Sequence, residues 1–364
     1  RVRLREVQPY RFQYGFLVDT EGKRGGLVEL QNLNLLGRAS ALGMRLRIDS
    51  EFKEGRLYFS QPFVTKIHLK MDATAFYQEE SRDSFWARRI GFSIFREKEL
   101  PGNMVLNYGY RYDNVKWSDD FSPDPTIFHA DVPVARLITS ITRDTRDSAL
   151  DATRGDFTSH SMEFGPKWLG SDIGFARYYG QFLKYVPLEK YFGMRTEDEE
   201  GKPVPSSFVF ASALRLGLTS AFGSPPPDDP SPIISPERFF AGGGTTMRGF
   251  PQDLLGPTEI VPVKKEDGTI KPVEKPKGGE GLFLFNNELR FPLFSIFQGV
   301  VFLDVGNVYP RLADFDFTLR KTAGAGLRAK IKFIPLRFDY GWKLDRLRPG
   351  ESAGEFFFSI GQAF

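Results

Sequence analysis

Cysteine is absent from this chain of 364 residues, and its three histidines, His68, His129 and His160, lie far apart. Neither a disulfide framework nor a zinc–thiolate site can be assembled, and the scattered histidines argue against a metal centre. No sign of charge dominates, because 49 Lys and Arg stand against 46 Asp and Glu. With its basic residues dispersed, such a chain offers no field to steer nucleic acid, and no nucleic-acid partner is expected. Also missing is any run near the roughly 18 apolar residues of a membrane-spanning helix, which excludes a helical membrane protein. No Gly-x-Ser-x-Gly nucleophile elbow and no His-Glu-x-x-His pair is expected to organise catalysis. The chain reads as a non-enzyme without a cofactor. Arg1 carries neither an initiating Met nor a signal-peptide pattern, so residues 1–9 read as a charged lead-in from a missing N-terminal region.

What is abundant is aromatic or small. There are 36 Phe, 13 Tyr and 36 Gly, yet the mean hydropathy is −0.32. That combination arises when apolar and polar residues alternate. From Tyr10 the alternation is explicit: Tyr10, Phe12, Tyr14, Phe16 and Val18 share one face, and Arg11, Gln13, Gly15, Leu17 and Asp19 the other. Comparable runs recur near 25–35, 37–49, 54–60, 65–79, 84–96, 103–115, 134–144, 155–165, 173–186, 208–218, 281–291, 297–308, 319–331, 333–343 and 354–364, sixteen strands in all. Up-and-down connection is the simplest tracing, with a long exposed loop at Asp119–Asp131. A soluble β-sandwich also alternates, but its domains usually take about 100 residues, whereas here one pattern continues from 10 to 364. Aromatics near strand ends, such as Trp342, suit the girdles of a barrel in lipid. The expected fold is all-β, a sixteen-stranded antiparallel transmembrane barrel over residues 10–364.

One segment departs from the pattern. Residues 222–281 are polar and proline-broken, opening on Gly223-Ser224-Pro225-Pro226-Pro227 and carrying Gly242-Gly243-Gly244-Thr245-Thr246-Met247-Arg248-Gly249-Phe250. A connection this long is usually functional or disordered. The glycines allow close backbone approach, and Arg248 presents a permanently charged fork beside Phe250. The twelve residues Phe239–Phe250 alone also fit a flexible surface loop with an incidental arginine. A phosphate-cradling loop is disfavoured, since no Lys-Ser/Thr follows the glycines. After this excursion, Phe283, Phe285, Leu289 and Phe291 share one face while Asn286, Glu288 and Arg290 share the other; next, Val301, Leu303 and Val305 alternate with Phe302, Asp304 and Gly306. Glu288 and Asp304 therefore face the lumen on adjacent strands. They could be ordinary solvated lumen charges, or, if the excursion folds inward, the acceptors of Arg248, whose guanidinium suits bidentate carboxylate recognition.

Arg248-Gly249-Phe250 behind its Gly-rich approach, Glu288-Leu289-Arg290-Phe291-Pro292 and Phe302-Leu303-Asp304-Val305-Gly306-Asn307-Val308 resemble three hallmark segments of the BamA/TamA superfamily, outer-membrane proteins that insert or translocate other proteins. The turn from Thr142 to Phe157 and the closing Phe356–Phe364 are similar to that family as well. The resemblance covers essentially the whole chain. It implies a sixteen-stranded barrel in the outer membrane of a Gram-negative bacterium, its sixth outer loop in the lumen with Arg248, Gly249 and Phe250 at the tip and Glu288 and Asp304 as arginine partners. Family members carry POTRA domains before the barrel, and nothing here resembles one. The implied partners are unfolded outer-membrane β-barrel proteins, the lipid bilayer, and periplasmic accessory lipoproteins or chaperones. The first and last strands must meet at a seam, where Gly361 weakens the last strand and Phe364 is a terminal aromatic. Three functions fit the resemblance: insertion of clients through that seam, export of a dedicated partner through the lumen, or anchoring of a missing N-terminal domain.

Overall fold

The computed structural model of the chain describes residues 8–18, 24–35, 37–62, 69–119, 129–149, 151–192, 208–222, 233–264, 270–294, 296–331, 334–348 and 350–360. Most of residues 1–9, and Gly361 and Phe364, which were assigned to the seam, lie outside the described residues. The strands are β1 (Tyr10–Val18), β2 (Arg24–Leu35), β3 (Ser40–Asp49), β4 (Phe52–Gln61), β5 (Lys70–Ser81), β6 (Phe85–Leu100), β7 (Met104–Asp119), β8 (His129–Asp144) and β9 (Gly155–Gly165). The series continues with β10 (Phe175–Pro187), β11 (Val209–Ala221), β12 (Thr258–Lys264), β13 (Ile270–Pro276), β14 (Gly281–Pro292), β15 (Phe297–Tyr309), β16 (Arg320–Ile331), β17 (Ile334–Lys343) and β18 (Gly354–Ile360). Sixteen of these form one antiparallel sheet in chain order, β1 to β11 followed by β14 to β18. This is the sixteen-stranded all-β architecture expected from the alternation, with each strand paired to its chain neighbour. The sheet ends are β1 and β18, which approach each other but share no ladder among the described residues.

Burial is inverted relative to a soluble protein. Tyr10, Phe12, Tyr14 and Phe16 on β1, Leu42, Met44, Leu46 and Ile48 on β3, and Ile90, Phe92 and Ile94 on β6 all point out of the sheet. Meanwhile Arg248, Arg290, Arg328 and Arg337 head the largest fully buried side chains. Lys and Arg are almost never fully buried unless paired, so apolar outside and charged inside describes a barrel wall in lipid around a polar lumen.

Two features depart from the sequence reading. β7 continues to Asp119 and β8 begins at His129, so strands take the ends of the stretch read as an exposed loop, while residues 120–128 lie outside the described residues. The excursion between β11 and β14 also contains its own two-stranded sheet, β12 with β13, which the prolines had concealed. The rest of the described excursion turns into the barrel and packs an apolar patch against the wall. Phe239, Ala241, Met247, Phe250 and Leu255 of the loop bury against Leu282, Leu284 and Val308. Burying one large apolar side chain contributes roughly 1.5–3 kcal/mol, so this patch alone is a substantial reason for the loop to stay in.

Candidate functional site

The tip is shaped locally before it meets the wall. The Gly243 amide donates to the Phe250 carbonyl at 2.8 Å, and the Leu255 amide to the Ala241 carbonyl at 2.8 Å. Thr246 Oγ donates to the Gly242 carbonyl at 2.6 Å and accepts from the Gly242 amide at 2.9 Å, closing the glycine turn on itself. Gly249 has φ +97, a conformation side chains rarely adopt, and the tip backbone lies directly on β17: a Cβ at Gly341 would stand 2.6 Å from the Gly249 nitrogen. Bare backbone on both sides is what allows the contact.

Arg248 is delivered into a cluster of carboxylates. Its Nε donates to Asp304 Oδ2 at 2.8 Å and its Nη2 to Asp304 Oδ1 at 2.9 Å, while Nη1 donates to Glu288 Oε2 at 2.6 Å. The Arg248 backbone amide adds a bond to Asp304 Oδ2 at 3.1 Å. The guanidinium also lies over the Phe302 ring, 3.5 Å from its centroid, which adds a cation–π contact to the ion pairs. Burial pushes the guanidinium pKa down, but Asp304, Glu288 and Asp339 outweigh it and hold the pKa above its usual value. The structure thus brings Arg248, Glu288 and Asp304 together, and places Gly249 on Gly341 and Phe250 in the apolar patch.

Around this trio stand residues that the sequence reading did not assign. Asp339 of β17 is 3.7 Å from Arg248, accepts from Arg328 of β16 at 2.5 Å, and accepts from Arg337 at 2.6 Å. Arg337 in turn donates to the Gly244 carbonyl of the loop. Glu288 also accepts from Arg290 at 2.7 Å, and Arg290 reaches the Ala152 carbonyl in the β8–β9 turn at 3.2 Å. Alternation puts Arg328 and Asp339 on the inward face, but only the ladders, with Asn286 opposite Asp304 and Gly326 opposite Asp339, bring them to one spot.

A second anchor holds the other side of the loop. Glu237, in a short turn at Ser235–Glu237, accepts from Arg136 of β8 at 2.8 and 3.0 Å and from Arg89 of β6 at 3.4 Å, and lies 3.6 Å from Arg177 of β10. Burial pushes the Glu237 carboxyl up, but the charges of Arg136 and Arg89 prevail and hold it far below the usual carboxylate range. The loop therefore spans the lumen between two walls. It offers a cation to the carboxylates of β14, β15 and β17, and a carboxylate to the arginines of β6, β8 and β10.

Among the described residues, one Gly-x-Ser-x-Gly spacing occurs that the sequence reading passed over. This segment, Gly350-Glu351-Ser352-Ala353-Gly354, lies between two strands, and Ser352 Oγ accepts from Lys343 at 3.0 Å and donates to Glu355 at 3.2 Å. The hydroxyl is occupied by a lysine and a carboxylate, with no helix following.

A family model for the Omp85 superfamily domain matches residues 34–364. The outer membrane protein assembly factor BamA of Nitratidesulfovibrio vulgaris is 26% identical over 340 residues, covering 91% of this chain; the chain spans 39% of that protein's length. Among solved structures, BamA from Haemophilus ducreyi lacking POTRA domains 1–3 superposes with a TM-score of 0.77 at 20% identity, over 98% of this chain and 70% of that one. CdiB from Escherichia coli superposes with a TM-score of 0.56 at 14% identity, over 99% of this chain and 63% of that one.

Proposed function

The chain belongs to the Omp85 superfamily of outer-membrane β-barrels, and on that premise we propose that it assembles client proteins into the membrane through the seam between its first and last strands. The observation that carries this reading is the ladder edge that β1 and β18 leave unpaired among the described residues. In lipid, each unsatisfied backbone amide or carbonyl costs several kcal/mol, so an isolated client strand cannot enter. A preformed edge removes that cost by offering ladder partners, and the client joins by β-augmentation. The outward row of Tyr10, Phe12, Tyr14 and Phe16 keeps the β1 edge at lipid depth, where such a strand would be received. The partners this implies are unfolded outer-membrane β-barrel proteins and the bilayer, with periplasmic accessory lipoproteins or chaperones delivering clients. The barrel provides templating and not catalysis. The doubly anchored loop fits this function better than it fits a transport path, because it crosses the lumen.

Locking the seam tests the proposal. Cysteines at Gln13 or Gly15 paired with one at Ser359 face inward on the alternation, and no native cysteine interferes. Several registers are tried, accepting pairs that oxidise with Cα atoms within the roughly 4.4–6.8 Å that a disulfide spans. Client insertion should stop on oxidation and return on reduction. Full insertion with the seam quantitatively locked would overturn the proposal and leave export of a dedicated partner, or a passive anchor, as the better function.

A further inference from the structure

The inward loop grips the last hairpin of the barrel at two levels. Inside, Phe250 lies against two cations, with Arg320 4.7 Å and Lys343 4.6 Å from its ring centroid. Both cations bind Glu351 in the β17–β18 connection, Arg320 at 2.8 Å and Lys343 at 3.5 Å. Above them, Arg348 of the same connection leaves the barrel wall and reaches the base of the β12–β13 hairpin. It donates to the Gly256 carbonyl at 2.5 Å, to Thr258 Oγ at 3.0 Å, and to Glu274. Thr258 and Glu274 are themselves joined at 2.7 Å, so Arg348 closes a three-membered cluster. Glu351 also accepts from the Leu347 and Arg348 amides at 3.1 and 3.3 Å, which shapes the connection that carries the arginine.

The strand this connection leads into is β18, which pairs with β17 on one side and, among the described residues, has no ladder on the other. A strand with one ladder is held less firmly than its neighbours, so contacts at its end count for more. We infer that Arg348 is a positioning residue for the seam: clamped to Gly256, Thr258 and Glu274, it holds the outer end of β18 to the loop and sets how far the seam parts there. This deepens the assembly reading and rests on it for its functional meaning, although the clamp itself is testable without a client.

Spin labels at Phe16 and Phe356, both outward and near the outer ends of β1 and β18, report the outer width of the seam. Labels at Tyr10 and Phe358 report the inner width. In Arg348→Ala the outer distance distribution should lengthen by about one strand spacing, ~5 Å, while the inner one stays as in the parent. The double reversal Arg348→Glu with Glu274→Arg should restore the outer distance, because it rebuilds the ion pair. The pair is partly exposed, so Arg348→Ala should still fold, with a gel mobility before and after boiling that matches the parent's. An unchanged outer distance in Arg348→Ala, or equal lengthening at both ends, would overturn the inference. Client insertion measured on the same variants separates the two claims: a widened seam without altered insertion keeps the clamp and counts against the seam as the assembly route.

Discussion

Arg248 meets Asp304 side-on, with two nearly parallel bonds of 2.8 and 2.9 Å from one edge of the guanidinium to both carboxylate oxygens. The remaining terminal nitrogen points at Glu288, 2.6 Å away. One side chain thus ties two adjacent strands, β14 and β15, to a loop that is separated from them in sequence by a two-stranded hairpin. All three groups are almost fully buried.

Replacing Arg248 by Ala leaves these carboxylates without their shared partner. Removing one member of a buried ion pair costs about 3–5 kcal/mol, against about 0–1 for an exposed pair. Thermal unfolding in detergent should show the larger loss, and the loop should become open to protease. Arg248→Lys should recover only part of both, because a point charge cannot reproduce the fork. Parent-like melting and protease protection in Arg248→Ala would show that the anchor is dispensable.

Gly341→Ala tests the backbone contact separately from charge. The new Cβ would meet the Gly249 nitrogen at 2.6 Å and the Arg248 carbonyl carbon at 2.7 Å, both rigid backbone. The tip must then lift, and the variant should resemble Arg248→Ala in protease sensitivity although no charge has changed. Gly15→Ala is the control, since a Cβ there meets nothing within 4 Å. Equal protection in the two glycine variants would show that the tip does not rest on β17.

The two anchors keep the loop across the lumen, so the intact protein should show small, flickering single-channel conductance in planar bilayers. Glu237→Gln removes the charge that Arg136 and Arg89 receive. Its conductance should rise and its open events lengthen. A large, steady conductance in the parent protein would be incompatible with a docked loop.

Glu237 also gives a pH dependence whose sign is fixed. Its folded-state pKa lies below the ordinary carboxylate value, so its contribution is complete above an unfolded-state value of about 4.3 and is lost as the pH falls toward the lower, folded-state value. The stability difference between the parent and Glu237→Gln should be flat from pH 7 to about 5 and shrink below about 4.3. A difference that instead grew on acidification would mean that the carboxyl is held protonated.

Sequence alone determined the faces of the wall. A β backbone turns successive side chains to opposite sides, so Phe285 and Leu303 had to point one way and Glu288 and Asp304 the other. The same rule gave the number of strands, because each run is about as long as a tilted membrane-crossing strand and ends at a polar break. It could not say which inward residues meet. That depends on register between strands and on where a loop docks, and both are set by contacts between residues far apart in the chain. Asp339 joins Arg248 because β16 and β17 pair with Gly326 opposite Asp339. Glu237 gave no signal at all, since its arginines come from three strands on the opposite wall and nothing in its own neighbourhood implies them. The β12–β13 hairpin was hidden for a local reason. Pro262 and Pro272 argue against a central strand, yet they stand opposite each other in a two-stranded ribbon, in which both strands are edge strands that tolerate proline.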